Sequence, residues 1–219
     1  MLHYLQELIH ALDVDALMGA VFRVAAVLLC LTVHEVCHGL AAKALGDPTA
    51  KAMHRLSLNP LHHIDWFGLF LMFAAGFGWA KPVPVDPRYF KNPKKGMALT
   101  ALAGPFSNLL LAAVLILISK GIYLYAPYTP AWEAGFSFCL YMAAPLSVGM
   151  GLFNLLPIPP LDGSKVLAVA LPDDAYGKLM RYERYGLLLL LALSLLGVTG
   201  GLISGAIYRV YEALFNLIY

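Results

Sequence analysis

The pentapeptide His34-Glu35-Val-Cys-His38 combines residue types that can hold a metal ion and activate water. On a helix, His34 and His38 share one face because they are four residues apart, so both imidazoles can bind one zinc ion. Glu35 lies beside them and can act as a base. The motif sits in an apolar run at about 16–45, where an ionisable side chain is costly unless it faces an interior site. These residues predict a metal enzyme that works inside a membrane.

A catalytic zinc site commonly has three protein ligands and leaves its fourth position open. Asp162 is our candidate for the third ligand, because three prolines stiffen the approach to it and Gly163 permits a turn after it. In the alternative interpretation, Asp162 caps a helix that begins at Gly163. Glu35 would polarise zinc-bound water and carry its proton to the leaving amine.

Composition predicts an α-helical polytopic membrane protein. The chain has 219 residues, of which 60% are hydrophobic and 13% charged, whereas soluble domains are about half apolar and about one quarter charged. We expect membrane spans at about 16–45, 97–119 and 136–156, and a C-terminal helix at 185–207.

Charge and cysteine usage exclude several other classes of protein. The net charge is +2 and the basic residues lie in loops between apolar runs, so we expect no nucleic-acid partner. Cys30, Cys37 and Cys139 lack the spacing of a disulfide framework or of a CxxC zinc site, and we interpret them as thiols that fill space. Residues 1–14 have leucines at helical spacing and no signal-peptide pattern. They predict either a short interfacial helix or a frayed terminus, and the first span would itself target the chain.

The connection at 49–95 contains five prolines and a short apolar stretch at 66–80. We expect a membrane-associated β-like hairpin around residues 53–58, then a non-helical re-entrant stretch, then extended backbone. Such backbone persists at membrane depth only where protein or a water-filled cavity surrounds it, so this segment is a candidate wall or gate for the site. Its three histidines predict interfacial or solvent-exposed side chains, with a second metal or a pH-sensitive gate as the alternative: His54, His62 and His63.

The distribution of basic residues predicts the orientation of the protein. Of the 15 Lys and Arg residues, 11 lie between the first two spans or between the third span and the C-terminal helix, and Lys43 lies at the end of the first span beside the first of these connections. Both connections should therefore be cytoplasmic. This topology brings the HEVCH motif and Asp162 to a similar depth, and it predicts a cell-membrane protein whose active site faces the cytoplasmic side.

Two asparagines lie within the predicted spans. A buried amide needs hydrogen-bond partners, and Asn108 and Asn154 could each join two helices in a bond of about 1 kcal/mol. Alternatively, they could hold the substrate backbone or the tetrahedral oxyanion beside the zinc. The sequence favours neither interpretation.

Three ordered motifs resemble those of the site-2 protease family of intramembrane zinc metalloproteases: HEVCH at 34–38, AGPFSN at 103–108 and NLLPIPPLDG at 154–163. RLSLNP and GWAKPVPV are similar to stretches of its compact bacterial branch, which lacks PDZ and CBS domains. The resemblance implies that His34, His38 and Asp162 bind one zinc ion and that Glu35 is the catalytic base. It also implies that Asn108 and Asn154 line the site.

The same resemblance implies a three-helix catalytic core at 15–163, which a substrate helix enters laterally and unwinds near the zinc. Residues 164–219 would supply a cytoplasmic connection and a C-terminal transmembrane helix. The expected activity is hydrolysis of transmembrane segments of other proteins, in regulated intramembrane proteolysis or in clearance of membrane peptide remnants. The lipid bilayer and the substrate are the expected partners, together with an adaptor protein or a second copy of the chain. Substrate choice would rest on the re-entrant segment or on a partner protein. The alternative is a metal-binding membrane protein without proteolytic activity, either a transporter or an inactive scaffold.

Overall fold

A computed structural model describes residues 14–75 and 80–219 of the protein. In this part of the chain, three helical segments are long and apolar enough to cross a membrane: Ala16–Ala44, Pro93–Tyr125 and Pro130–Asn154. Each exceeds the roughly 20 residues that a hydrocarbon core of about 30 Å requires. The prediction of an α-helical membrane protein is confirmed. The expected interfacial helix at the N-terminus lies outside the described residues.

The first long helix, α1, carries the HEVCH motif, and the second, α4, packs against it. The third segment consists of α5, a π-helical turn at Phe138–Ala143, and α6. The helices have these bounds: α1 Val14–Ala44, α2 Thr49–Ala52, α3 Trp66–Ala75, α4 Pro93–Tyr125, α5 Pro130–Ser137, α6 Ala144–Asn154, α7 Asp162–Ala170, α8 Asp173–Leu195 and α9 Val198–Ile218.

Side-chain caps and small residues explain how these helices begin and pack. The Asn92 side chain accepts the Lys95 N–H at the start of α4, and Pro93 occupies the first turn, where its missing N–H costs nothing. The core between α1, α4 and the third segment contains mostly small and aliphatic side chains, which let the helices approach closely: Ala26, Ala112, Leu115, Ile116, Leu140, Ala143, Ala144 and Val148.

The C-terminal region differs from the single predicted helix at 185–207. Helix α8 ends at Leu195 and α9 begins at Val198. Between them Gly197 has a φ of 70°, a left-handed conformation that glycine adopts at little cost. The glycines that follow therefore belong to a separate helix, which packs on α4 and α6. The Tyr211 hydroxyl of α9 donates to the Leu140 carbonyl in the π-helical turn, at 2.8 Å.

The connection between α1 and α4 departs from its prediction in two ways. Its described residues contain no strand, so the β-like hairpin around 53–58 is not confirmed. One isolated antiparallel bridge joins Ile64 to Ala80. The expectation of non-helical backbone in the apolar stretch was wrong for Trp66–Ala75, which forms α3. Asp65 starts this helix, because its carboxylate accepts the N–H groups of Phe67 and Gly68.

The three histidines of this connection have different environments. His54 and His62 are exposed, as predicted, and His54 adopts a positive φ of 54°. His63 is completely buried, so the prediction was wrong for this residue. Its ring donates from Nε2 to the Ser57 carbonyl at 2.7 Å, which ties two turns of the connection together. Among the described residues, none of the three belongs to a group that could hold a metal ion.

Candidate metal centre

The HEVCH motif lies in the C-terminal half of α1, and helical periodicity directs both histidines toward α4. His34 and His38 are buried, with Nε2 atoms 3.0 Å apart. Asp162, also buried, places Oδ2 3.2 Å from Nε2 of His34 and 3.1 Å from Nε2 of His38. Two imidazoles separated from a carboxylate by more than 120 residues of chain thus converge on one point.

The donor set and its dimensions fit a zinc ion. Zinc binds His nitrogen and carboxylate oxygen at about 2.0–2.2 Å in a tetrahedron, which sets its ligand atoms about 3.3 Å apart. The three separations between His34, His38 and Asp162 lie close to that value. In the part of the chain that the structure describes, this is the group that could hold a metal ion.

Helix α4 reaches the imidazole pair at Gly104. A Cβ atom at this position would lie 2.6 Å from Cε1 of His34, and closer still to Nε2 of His38. Any side chain here would enter the space in which the ligand atoms meet. Gly104 is therefore required for the close approach of α4.

Helix α4 also orients His38. The His38 Nδ1–H donates to the Thr100 carbonyl at 2.7 Å, one helical turn before Gly104. A proton on Nδ1 leaves the lone pair of Nε2 available, and such backbone contacts commonly set the tautomer of metal-binding histidines. Thr100, Gly104 and Asn108 are spaced four residues apart, so one face of α4 lines the site.

Asp162 is the first residue of α7, and the cap position belongs to Leu161. The alternative in which Asp162 caps a following helix is thus not what the structure shows. Burial by itself raises the pKa of a carboxyl group, but the contacts with His34 and His38 outweigh it and hold the pKa of Asp162 below its ordinary value. The lowered pKa favours the ionised carboxylate, which is the form that can bind a metal ion.

Glu35 is buried beside the histidines, and its Oε2 accepts the Val83 N–H at 2.9 Å. Val83 lies in residues 81–86, which form no helix or strand. Motif analysis did not identify Val83, because its contribution comes from the backbone. The one signal in the sequence was the pair of prolines that flank Val83. Because proline has no backbone N–H, the Val83 N–H is one of the few donors in this stretch.

The two asparagines differ in their surroundings. Asn108 is completely buried, and its side-chain oxygen and nitrogen have no hydrogen-bond partner among the described residues. Asn154, at the end of α6, donates to the Met150 carbonyl of its own helix at 3.0 Å. Neither side chain makes the bond between helices that was one of the two interpretations. Asn108 lies one turn from Gly104, on the α4 face that lines the site.

Membrane-spanning helices that enclose a buried group of two histidines and one aspartate define a membrane protein with a metal centre. The sequence model of peptidase family M50 matches residues 121–196. No solved structure matches the chain.

Three relatives extend the comparison. YwhC of Bacillus subtilis is 37% identical over 177 residues, which cover 78% of this chain and 79% of the relative. Rip2 of Mycobacterium tuberculosis is 29% identical over 191 residues, covering 84% and 71%. MJ0611 of Methanocaldococcus jannaschii is 39% identical over 140 residues, covering 61% and 62%. All three carry the name putative zinc metalloprotease. The chain belongs to peptidase family M50, the site-2 protease family, and is a membrane metalloprotease with zinc as its cofactor.

Proposed function

We propose that this protein is an intramembrane metalloendopeptidase that cleaves transmembrane or membrane-proximal segments of other proteins. One observation carries the proposal: a His34, His38 and Asp162 group with Glu35 beside it is buried among helices long enough to span a membrane. A peptide bond can reach such a site only from within or beside the bilayer. Membrane proteins that signal after cleavage and peptide remnants that must be cleared both meet this requirement.

In this proposal His34, His38 and Asp162 hold the zinc ion. The bound ion supplies Lewis acidity, which lowers the pKa of water to about 7 and polarises the peptide carbonyl. Glu35 takes a proton from the attacking water and delivers it to the leaving amine. The Val83 N–H holds one oxygen of the Glu35 carboxylate, so the base is oriented before the substrate arrives.

We assign Asn108 and Asn154 to the substrate. The unpartnered amide of Asn108 offers a donor to the carbonyl oxygen of the scissile bond and an acceptor to a backbone N–H. A buried donor aimed at developing negative charge is worth more than the same donor in water. Asn154 would need to exchange its contact with Met150 for a contact with the substrate.

The position of the site along α4 supports cleavage on the cytoplasmic side. Tyr123 and Phe136 lie within a cluster of aromatic rings at the far end of α4, and aromatic side chains typically mark a membrane interface. Tyr123 follows Gly104 by 19 positions, which is about 28 Å along a helix. With a core of about 30 Å, Gly104 would lie close to the opposite boundary, and the basic connections predict that this side is cytoplasmic.

Substitution of the base tests the function directly. The protein is reconstituted in lipid vesicles with a model transmembrane substrate, and Glu35→Gln is expected to slow cleavage at least a hundredfold while the zinc content stays at one ion per chain. Glu133→Gln is the matched control, since Glu133 is exposed on α5 far along the chain from the site. Cleavage at the normal rate by Glu35→Gln, or by protein stripped of zinc, would contradict the proposal.

A further inference from the structure

Asp47, three residues beyond the end of α1, is a completely buried carboxylate. Burying an ionised group is costly unless hydrogen-bond donors compensate for the lost water. Its Oδ1 accepts the N–H and the hydroxyl of Thr49, a local turn. Its Oδ2 accepts the Asp86 N–H at 2.7 Å, from a segment 39 residues away. The local turn uses only Oδ1, so Oδ2 is free to accept a hydrogen bond from the distant segment.

That segment is the strap, defined here as residues 80–86 (AKPVPVD). Two prolines restrict its backbone and remove donors from it. Three of its remaining N–H groups each bind a different part of the protein. Lys81 donates to the His63 carbonyl at 3.0 Å, Val83 to Glu35, and Asp86 to Asp47. The strap is thus fastened at both ends and contacts the base in its middle.

Helix α1 contacts the strap closely at Gly39, one turn after Glu35. A Cβ atom on Gly39 would lie 3.2 Å from Cγ1 of Val83 and would collide with the side chain of Leu56. Val83 itself is buried. The close contact between the strap and α1 therefore depends on a missing side chain at Gly39.

We infer that Asp47 is a positioning residue, which holds the strap so that the Val83 N–H orients the catalytic carboxylate of Glu35. The inference rests on the proposed role of Glu35 as the base. Hydrogen bonds from N–H groups to carboxylates are short and directional. Only two residues, one of them proline, separate the Asp86 anchor from Val83, so release of the anchor shifts Val83. A misplacement of 1 Å in an active site can lower a rate about a hundredfold.

Asp47→Asn tests the inference in the full-length protein reconstituted with a model substrate. An asparagine has one acceptor oxygen, so it cannot satisfy both Thr49 and Asp86. We expect kcat to fall about tenfold to a hundredfold, with KM and zinc content unchanged. Amide hydrogen exchange in residues 80–86 should become faster. Asp65→Asn is the matched control, because Asp65 also accepts two backbone N–H groups in this connection, both from α3, and its kcat should stay within about twofold of wild type.

Gly39→Ala is a second variant, whose added Cβ atom presses on Val83 of the strap, and more strongly on Leu56, without altering Asp47. It should reproduce the selective loss of kcat. Wild-type kcat in both variants would overturn the inference, as would a loss of zinc or a rise in KM that accounts for the whole effect. Glu35→Gln distinguishes failure of the positioning role from failure of the proposed function. If it is inactive while Asp47→Asn is fully active, only the positioning role fails; if Glu35→Gln is active, the proposed function fails as well.

Discussion

Individual side chains at this centre depend on neighbours for their chemistry. His38 can offer a lone pair from Nε2 because the Thr100 carbonyl accepts its Nδ1–H. Glu35 is oriented by a backbone amide, and Asp162 is kept ionised by the two imidazoles. In the proposed function, each histidine or carboxylate of this centre can act as a metal ligand or a base only within its specific set of contacts.

Substitution of Asn108 should change both the stability and the activity of the protein. Its amide is buried without a partner, which costs about 1–3 kcal/mol of folding free energy. Asn108→Leu, of similar size, should therefore raise the free energy of unfolding by roughly that amount. If Asn108 stabilises the oxyanion, the same change should lower kcat about a hundredfold to a thousandfold. Denaturation and cleavage assays on one preparation measure both effects, and full activity in Asn108→Leu would exclude the assigned role.

At the scale of helices, the metal centre exists because α1, α4 and α7 meet without an intervening side chain. Helix α4 contributes no ligand of its own to the group of three. Along one face it contributes the Thr100 carbonyl, the space left by the missing side chain of Gly104, and the side-chain amide of Asn108. Helix α7 packs extensively on α4 and presents Asp162 from its first turn.

Two glycines of α4 allow a matched test of this packing. A Cβ atom on Gly104 would collide with both imidazoles, whereas one on Gly121 would meet nothing within 4 Å. Gly104→Ala should therefore lose zinc and activity. Gly121→Ala should keep both and gain up to about 1 kcal/mol of stability, since alanine favours a helix. Zinc analysis after gel filtration compares the two variants, and normal zinc content in Gly104→Ala would show that the helices separate readily.

At the scale of the whole molecule, orientation in the membrane decides which compartment supplies water and receives the product. The two connections rich in Lys and Arg predict a cytoplasmic location for the strap and for the region between α6 and α8. The turn between α4 and α5, which contains the exposed Tyr128, should lie on the opposite side.

Cysteine labelling of intact cells tests this topology. In a variant lacking Cys30, Cys37 and Cys139, a membrane-impermeant maleimide should label Tyr128→Cys directly. It should label Lys91→Cys only after the cells are permeabilised, because Lys91 is exposed in the first basic connection. The reverse pattern would invert the orientation and place the metal centre toward the outer face.

Local sequence patterns predicted several residues of the candidate site, but not the residues that reach it through backbone groups or distant contacts. The spacing of His34 and His38 is a property of one helix, so periodicity alone predicted a shared face. Asp162 was singled out by the chemistry of its neighbours in the chain. Val83 and Asp47 carried no such signal, because one acts through a backbone N–H and the other resembles an ordinary turn residue. Helix α3 was mistaken for non-helical backbone, since short apolar runs do not distinguish the two.

By itself, the sequence determined the membrane class, the long apolar helices and the residue types of a zinc protease. These depend on composition and on spacing within a few turns, and both are local. Tertiary structure alone decided that Asp162 reaches the histidines, that Gly104 clears their space and that a strap holds Glu35. Each of these is a contact between distant segments, whose formation depends on how the entire set of helices packs. The break between α8 and α9 at Gly197 was likewise decided by tertiary structure. A continuous apolar run does not indicate where one helix ends and the next begins to pack on α4 and α6.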